Sequence, residues 1–179
     1  MTWFGVSGPP SMVTVFTFED GSSTEANAEA CRGTRTHCLL FYLLMNKDLT
    51  PLLFEPETTI AVVGATDTPG KYGGIIYRDL KAKGYQVFGV NPGRDTVDGD
   101  PCYPTMMTAP GTPTIAVFVV PAARGISALA GCKEAGVNNI WVQPGAFSAD
   151  LRDALEEGGF DWIAEACVMV RARVGAGLP

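Results

Sequence analysis

Two stretches of this chain, IAVVG at 60–64 and IAVFVV at 115–120, are apolar throughout and rich in β-branched residues. A strand with one wet face alternates polar and apolar residues, so a strand without that alternation must be covered on both faces. Such covering takes helices on either side of a parallel sheet. The rest of the chain beyond Thr59 agrees, because β-rich and helical runs alternate there at regular spacing across short Gly/Pro loops. Strands are expected at 59–64, 86–90, 114–120, 139–143 and 160–164.

The intervening segments carry helical signals. YGGIIYRDLKAKG puts Tyr72, Ile75, Ile76 and Leu80 on one face and stops at Gly84, with Lys81 and Lys83 where the helix dipole favours cations. A second helix runs through Ile126, Leu129 and Ala130 to Gly136. A third begins at Ser148 as N-cap and turns Leu151, Ala154 and Leu155 inward. The expected fold class is therefore α/β: a doubly wound, mostly parallel, five-stranded and Rossmann-like sheet. Right-handed crossovers bring the loops at the strand carboxyl ends to one edge, where such sheets bind ligands.

Residues before this pattern differ. FTFEDGSSTEANAEACRGTRTH has no sustained period, and the composition changes near Met45. We expect 1–55 to be an N-terminal extension, poorly structured or following a misassigned start, 56–172 to be the ligand-binding domain, and 173–179 to be a tail. The longest apolar run, CLLFYLLM at 38–45, is short for a membrane span, and a formal charge of −6 is poor material for a nucleic-acid binder. Five cysteines are widely spaced without a CxxC pair, so no zinc site is expected and reduced thiols in the cytoplasm fit.

The loop after the first strand, Gly64-Ala65-Thr66-Asp67-Thr68-Pro69-Gly70, leads into a helix at Lys71 and Tyr72. Strand, loop and helix start form the usual receptor for a phosphate, through backbone amides and the helix dipole. The dinucleotide fingerprint wants glycine where Asp67 stands, and an acid at the end of the next strand where Asn91-Pro92-Gly93-Arg94 stands. A nicotinamide site is thereby disfavoured, although Arg94 leaves NADP open. Arg94 suits a ligand with an additional ribose phosphate, since a guanidinium can bind phosphate bidentately. Thr66 and Thr68 offer hydroxyls to a pyrophosphate, Lys71 offsets its charge, and Asp67 is expected to cap the helix amides.

These pieces resemble the CoA-binding domain family, small proteins related to the N-terminal domain of the succinyl-CoA synthetase α subunit. The resemblance rests on IAVVGATDTPGKYG, GYQVFGVNPG, VDGDPCYPTM, FVVPA, NNIWVQPGAFS and GFDWIAEACVMV, in order from about Thr59 to Arg171. It implies coenzyme A, or an acyl-CoA, held across the strand ends. Gly64, Ala65, Thr66 and Thr68 would then line the pyrophosphate and pantetheine path, with Asp67, Lys71 and Tyr72 at the same loop and helix start. Asn91, Pro92 and Arg94 would lie near the ribose phosphate and adenine, Val120 and Pro121 on the adenine side, and Gln143 and Gly145 at the thiol end. Many members have a basic residue directly after Asn-Pro; here Gly93 intervenes and Pro-Gly-Arg is similar to the Pro-Gly-Lys of the synthetase.

No catalytic set emerges from the residues, and the single histidine, His37, lies outside the matched region. The expectation is non-catalytic binding of a small CoA ligand, with no nucleic acid and no membrane. An NADP-linked oxidoreductase, a regulatory module and an orphan acyl-CoA synthetase subunit are the other readings. A homodimer or a protein partner is compatible with each.

Overall fold

A computed structural model describes residues 14–17, 23–26 and 48–173. The chain divides into two compact units, Met1–Met45 and Asn46–Pro179. In the first, β1 (Thr14–Thr17) pairs antiparallel with β2 (Ser23–Ala26). The remainder of the expected extension up to residue 47 lies outside the described residues. The stretch 48–55 contains a 3-10 turn, Thr50–Phe54, whose Leu53 is fully buried.

The second unit follows the expected alternation: β3 (Thr59–Val63), α1 (Tyr72–Ala82), β4 (Gln86–Val90), β5 (Thr96–Val97), β6 (Asp100–Tyr103), β7 (Ile115–Phe118), α2 (Ala122–Glu134), β8 (Asn139–Val142), α3 (Ala149–Glu157), β9 (Asp161–Ile163) and α4 (Val168–Arg171). The sheet order is β5-β6-β4-β3-β7-β8-β9, parallel except for the β5–β6 hairpin. The count is seven strands, not five. The two additional strands form a short hairpin whose turn residues, Asp98 (φ +54°) and Gly99 (φ +80°), have the paired positive φ of a type I′ turn.

Helices on both faces of the sheet explain the absence of polar alternation in β3 and β7. Ile60, Val62, Ile115, Val117 and Trp141 point to the face covered by α1 and α4. Ala61, Val63, Ala116, Phe118, Ile140 and Val142 point to the face covered by α2 and α3. Ser148 caps α3 as expected, its hydroxyl accepting from the Leu151 amide at 3.2 Å. The expected face shifts in the first of these helices. In α1, Tyr72 and Ile75 are exposed, and Gly73, Gly74, Ile76, Tyr77 and Leu80 face inward. In α2, Ala130 is exposed, and Gly125, Leu129 and Cys132 form the buried stripe. Among the described residues no helix is long and apolar enough to cross a membrane.

The α1 start lies so close to the loop after β3 that a Cβ on Gly73 would collide with the Gly64 carbonyl, and one on Gly74 with the Thr66 carbonyl. Gly73→Ala should therefore lower the unfolding free energy by about 1–3 kcal/mol in a urea titration, because backbone has to move. Gly131→Ala, mid-helix with no atom within 4 Å of the added carbon, should raise it by about 0.5–1 kcal/mol.

Candidate functional site

The carboxyl ends of β3, β4, β7 and β8 deliver their following loops to one edge of the sheet. The first of these turns sharply at Gly64 (φ +95°), where a Cβ would come 2.5 Å from Val120 Cγ1. Gly64 is thus required both by its backbone and by the side chain after β7. Beyond the buried Ala65, the Thr66 and Thr68 hydroxyls lie 3.1 Å apart, and the Thr68 amide donates to the Thr66 hydroxyl at 3.2 Å. This folds the loop so that both hydroxyls sit together before the helix.

Lys71 is the N-cap of α1 and supplies no side-chain cap. The Gly74 and Ile75 amides donate to the Lys71 carbonyl at 3.2 and 3.3 Å, so the Tyr72 and Gly73 amides precede the first helical bonds. The first turn carries no acid. A cation at a helix N-terminus opposes the helix dipole, and no acid in the first turn offsets Lys71. Among the described residues no carboxylate lies within ion-pairing distance of Lys71 or Arg94.

Asp67 does not cap the helix. Its carboxylate accepts from the Asp98 amide at 2.9 Å, tying the loop to the β5–β6 turn. Lys81 then donates to Asp98 at 3.4 Å and to Asp100 at 2.5 Å, and the Tyr77 hydroxyl donates to Asp100 at 2.9 Å. The Lys81 ammonium, then the Tyr77 hydroxyl, hold the Asp100 carboxyl below its ordinary range. Burial, reinforced by Asp100, raises the Tyr77 phenol. Asp67 is thus engaged in fastening the loop, and its charge is turned aside from the helix amides.

After β4, Asn91 is bonded within the protein at both ends of its amide. Its Nδ2 donates to the Ala65 carbonyl at 2.8 Å, and its Oδ1 accepts from the Gly93 amide at 2.9 Å. Pro92 is exposed. Arg94 reaches back across the crevice, and its guanidinium donates to the Thr68 hydroxyl at 2.8 Å. The Arg94 guanidinium, the paired threonines and the Lys71 helix start therefore converge. On the opposite side, Val120 is half-buried, Pro121 is the exposed N-cap of α2, and Gly145 takes φ +81° in an exposed turn. Gln143 is buried.

Gly73 and Gly74 were not among the expected site residues. Their signal is two glycines inside a helical run, where each weakens the helix and so calls for a packing reason. Asp98 also joins the site's support, and its Asp-Gly pair is the sequence signal for the hairpin turn. Cys132 fills the core, and burial pushes its thiol up to about 12. Cys167 is the N-cap of α4. A groove of about 490 Å³ lies beside the first half of β4, between Tyr77, Val87, Phe88, Asp100 and Tyr103, and contains none of the expected ligand residues.

A family model described as CoA binding domain matches residues 58–173. The ADP-forming acetate–CoA ligase I of Archaeoglobus fulgidus is 34% identical over 106 residues, which cover 59% of this chain and 15% of the ligase. A conserved hypothetical protein from Pyrococcus furiosus superposes with TM-score 0.61 at 41% identity, over 63% of this chain and 97% of that one. The dinucleotide-forming acetyl-coenzyme A synthetase 1 of Candidatus Korarchaeum cryptofilum, solved with phosphate and ADP, superposes with TM-score 0.58 at 29% identity, over 73% of this chain and 31% of the synthetase. The chain thus spans only a small part of the curated ligase it matches.

Asn91→Ala removes the partner of the buried Ala65 carbonyl. It should lower the unfolding free energy by about 1–3 kcal/mol and speed amide hydrogen exchange across residues 64–68. Exchange unchanged in that loop would show that the Asn91 bond does not hold it.

Proposed function

The chain belongs to the CoA-binding domain family, and from that premise we propose that it holds coenzyme A along this edge without performing chemistry on it. The observation that carries the reading is the convergence of Arg94, Thr68 and Lys71 on an N-terminal helix turn that lacks any acid. A pyrophosphate on the Tyr72 and Gly73 amides would complete the helix terminus, and Lys71 would face a charge that reverses its unfavourable position. The loop is fastened by Asn91 and Asp67 before any ligand arrives, so little ordering remains to be done on binding.

In this reading Arg94 takes the 3′-phosphate, exchanging a neutral hydroxyl partner for a dianion. Lining the edge are glycines, threonine hydroxyls and amides, with no paired general acid and base positioned over the crevice among the described residues. Binding of the cofactor, not turnover, is what these groups support. The NADP reading uses the same Arg94 on a 2′-phosphate, and the dinucleotides therefore belong in the same experiment.

Calorimetry of the full chain with CoA, dephospho-CoA, NADP and NAD tests the assignment. CoA should bind tightest, and Arg94→Ala should weaken it by about 1–3 kcal/mol while leaving dephospho-CoA nearly unchanged. Equal losses for both ligands would remove Arg94 from the 3′-phosphate, and NADP binding in place of CoA would replace the proposal with a dinucleotide site. Thr66→Arg, which fills the loop with a large side chain, should abolish binding while leaving the far-ultraviolet circular dichroism spectrum intact.

A further inference from the structure

Gln143 follows the last residue of β8 and is 4% exposed. Its backbone is fully used: the amide donates to the Phe118 carbonyl at 3.1 Å, and the carbonyl accepts from the Ala146 amide at 3.0 Å. Its side chain is not. The Nε2 atom is buried and has no hydrogen-bond partner. Thr58, also polar and buried, differs in that its hydroxyl donates to the Leu52 carbonyl at 2.6 Å. Buried amides are normally paired, and an unpaired donor is costly until something supplies an acceptor.

The position of this donor along the edge says which acceptor it meets, given the CoA reading above, on which the inference rests. Arg94 follows β4, on one side of β3; β8 lies on the other side, beyond β7. With the ribose phosphate at Arg94 and the pyrophosphate at the α1 start, the pantetheine arm has to run over β7 towards β8. Two strand spacings amount to about 10 Å, and the buried Gln143 is followed by the exposed Pro144 and Gly145. Reaching it uses most of an extended pantetheine, whose length is roughly that of four to five extended residues, ~15 Å. The sulfur end of the ligand therefore arrives at Gln143.

A thiol is a weak acceptor, whereas the oxygen of a thioester is a carbonyl acceptor. We propose that Gln143 is a specificity residue whose side-chain amide, turning about its last bond to bring Nε2 out of its buried position, donates to the thioester carbonyl, so that the protein prefers a small acyl-CoA to free CoA. The open turn at Gly145, where nothing lies within 4 Å of an added Cβ, leaves room for a short acyl chain beyond the carbonyl.

The test compares CoA, acetyl-CoA and S-ethyl-CoA, which matches acetyl-CoA in length but lacks the carbonyl, by calorimetry on the full chain and on Gln143→Met. Acetyl-CoA should bind the parent about five- to tenfold more tightly than either other ligand, the effect of one neutral hydrogen bond. The acetyl-CoA advantage should vanish in Gln143→Met, so that the three affinities converge. Equal binding of acetyl-CoA and S-ethyl-CoA by the parent would overturn the proposal without need of the variant. So would a preference that survives in Gln143→Met, or a uniform loss there, which would put the donor on a pantetheine amide. No binding of any of the three would overturn the CoA reading itself.

Discussion

The close approach of the first turn of α1 to the loop after β3 is the constraint on which the rest of the site depends. Gly73 and Gly74 lie against the Gly64 and Thr66 carbonyls with no room for a side chain. This contact directs the helix start at the loop and brings its first amides to the rim of the sheet. Gly64 repeats the demand from the other side, where Val120 lies against it. A helix that sat further out would leave the Thr66 and Thr68 hydroxyls without amides beside them. Three tight glycine positions thus bring the free amides of a strand–helix unit to its rim, where the proposed phosphate would be received.

The electrostatic arrangement departs from what stability alone would select. A helix is steadied by an acid in its first turn and a side-chain cap at its start; α1 has neither, and has Lys71 instead. Nearby Asp67, which could have served, is bonded to the Asp98 amide. Arg94 is paired with a hydroxyl and with no carboxylate among the described residues. Local rules broken together at one place, with no compensation among the described residues, are characteristic of a binding site. The missing compensation is negative charge, which the phosphates of the proposed ligand carry.

Much of the fold was legible because its strands are continuous apolar runs and its helices end at glycines. The five main strands appear where β-branched residues cluster, and Ser148 caps α3 as its position suggested. The β5–β6 hairpin escaped notice because its strands are short and polar, leaving only Asp98-Gly99 as a signal. The buried face of α1 was misread for a related reason. Tyr72 and Ile75 are large and apolar, but glycines occupy the contact with the loop and push the inward face round to Ile76, Tyr77 and Leu80. Arg94 and Lys71 could be singled out by their distance along the chain from strand ends. The commitment of Asp67 and Asn91 to other backbone groups depends on contacts 31 and 26 residues away, which no local pattern encodes.

Those long-range bonds also separate the two ends of the crevice. At the phosphate end, Asn91 holds the Ala65 carbonyl, Asp67 holds the β5–β6 turn, and Arg94 holds Thr68, so the loops after β3 and β4 form one cross-linked unit. At the β8 end an exposed Pro-Gly turn follows one buried, unpaired amide. In the proposed function, binding energy drawn at these fastened loops would not be spent on ordering them. Discrimination at the far end can then rest on a single hydrogen bond, because the ligand's position is already fixed by its phosphates. On the proposed reading, ligands that share the nucleotide would be anchored alike and sorted by what the arm carries.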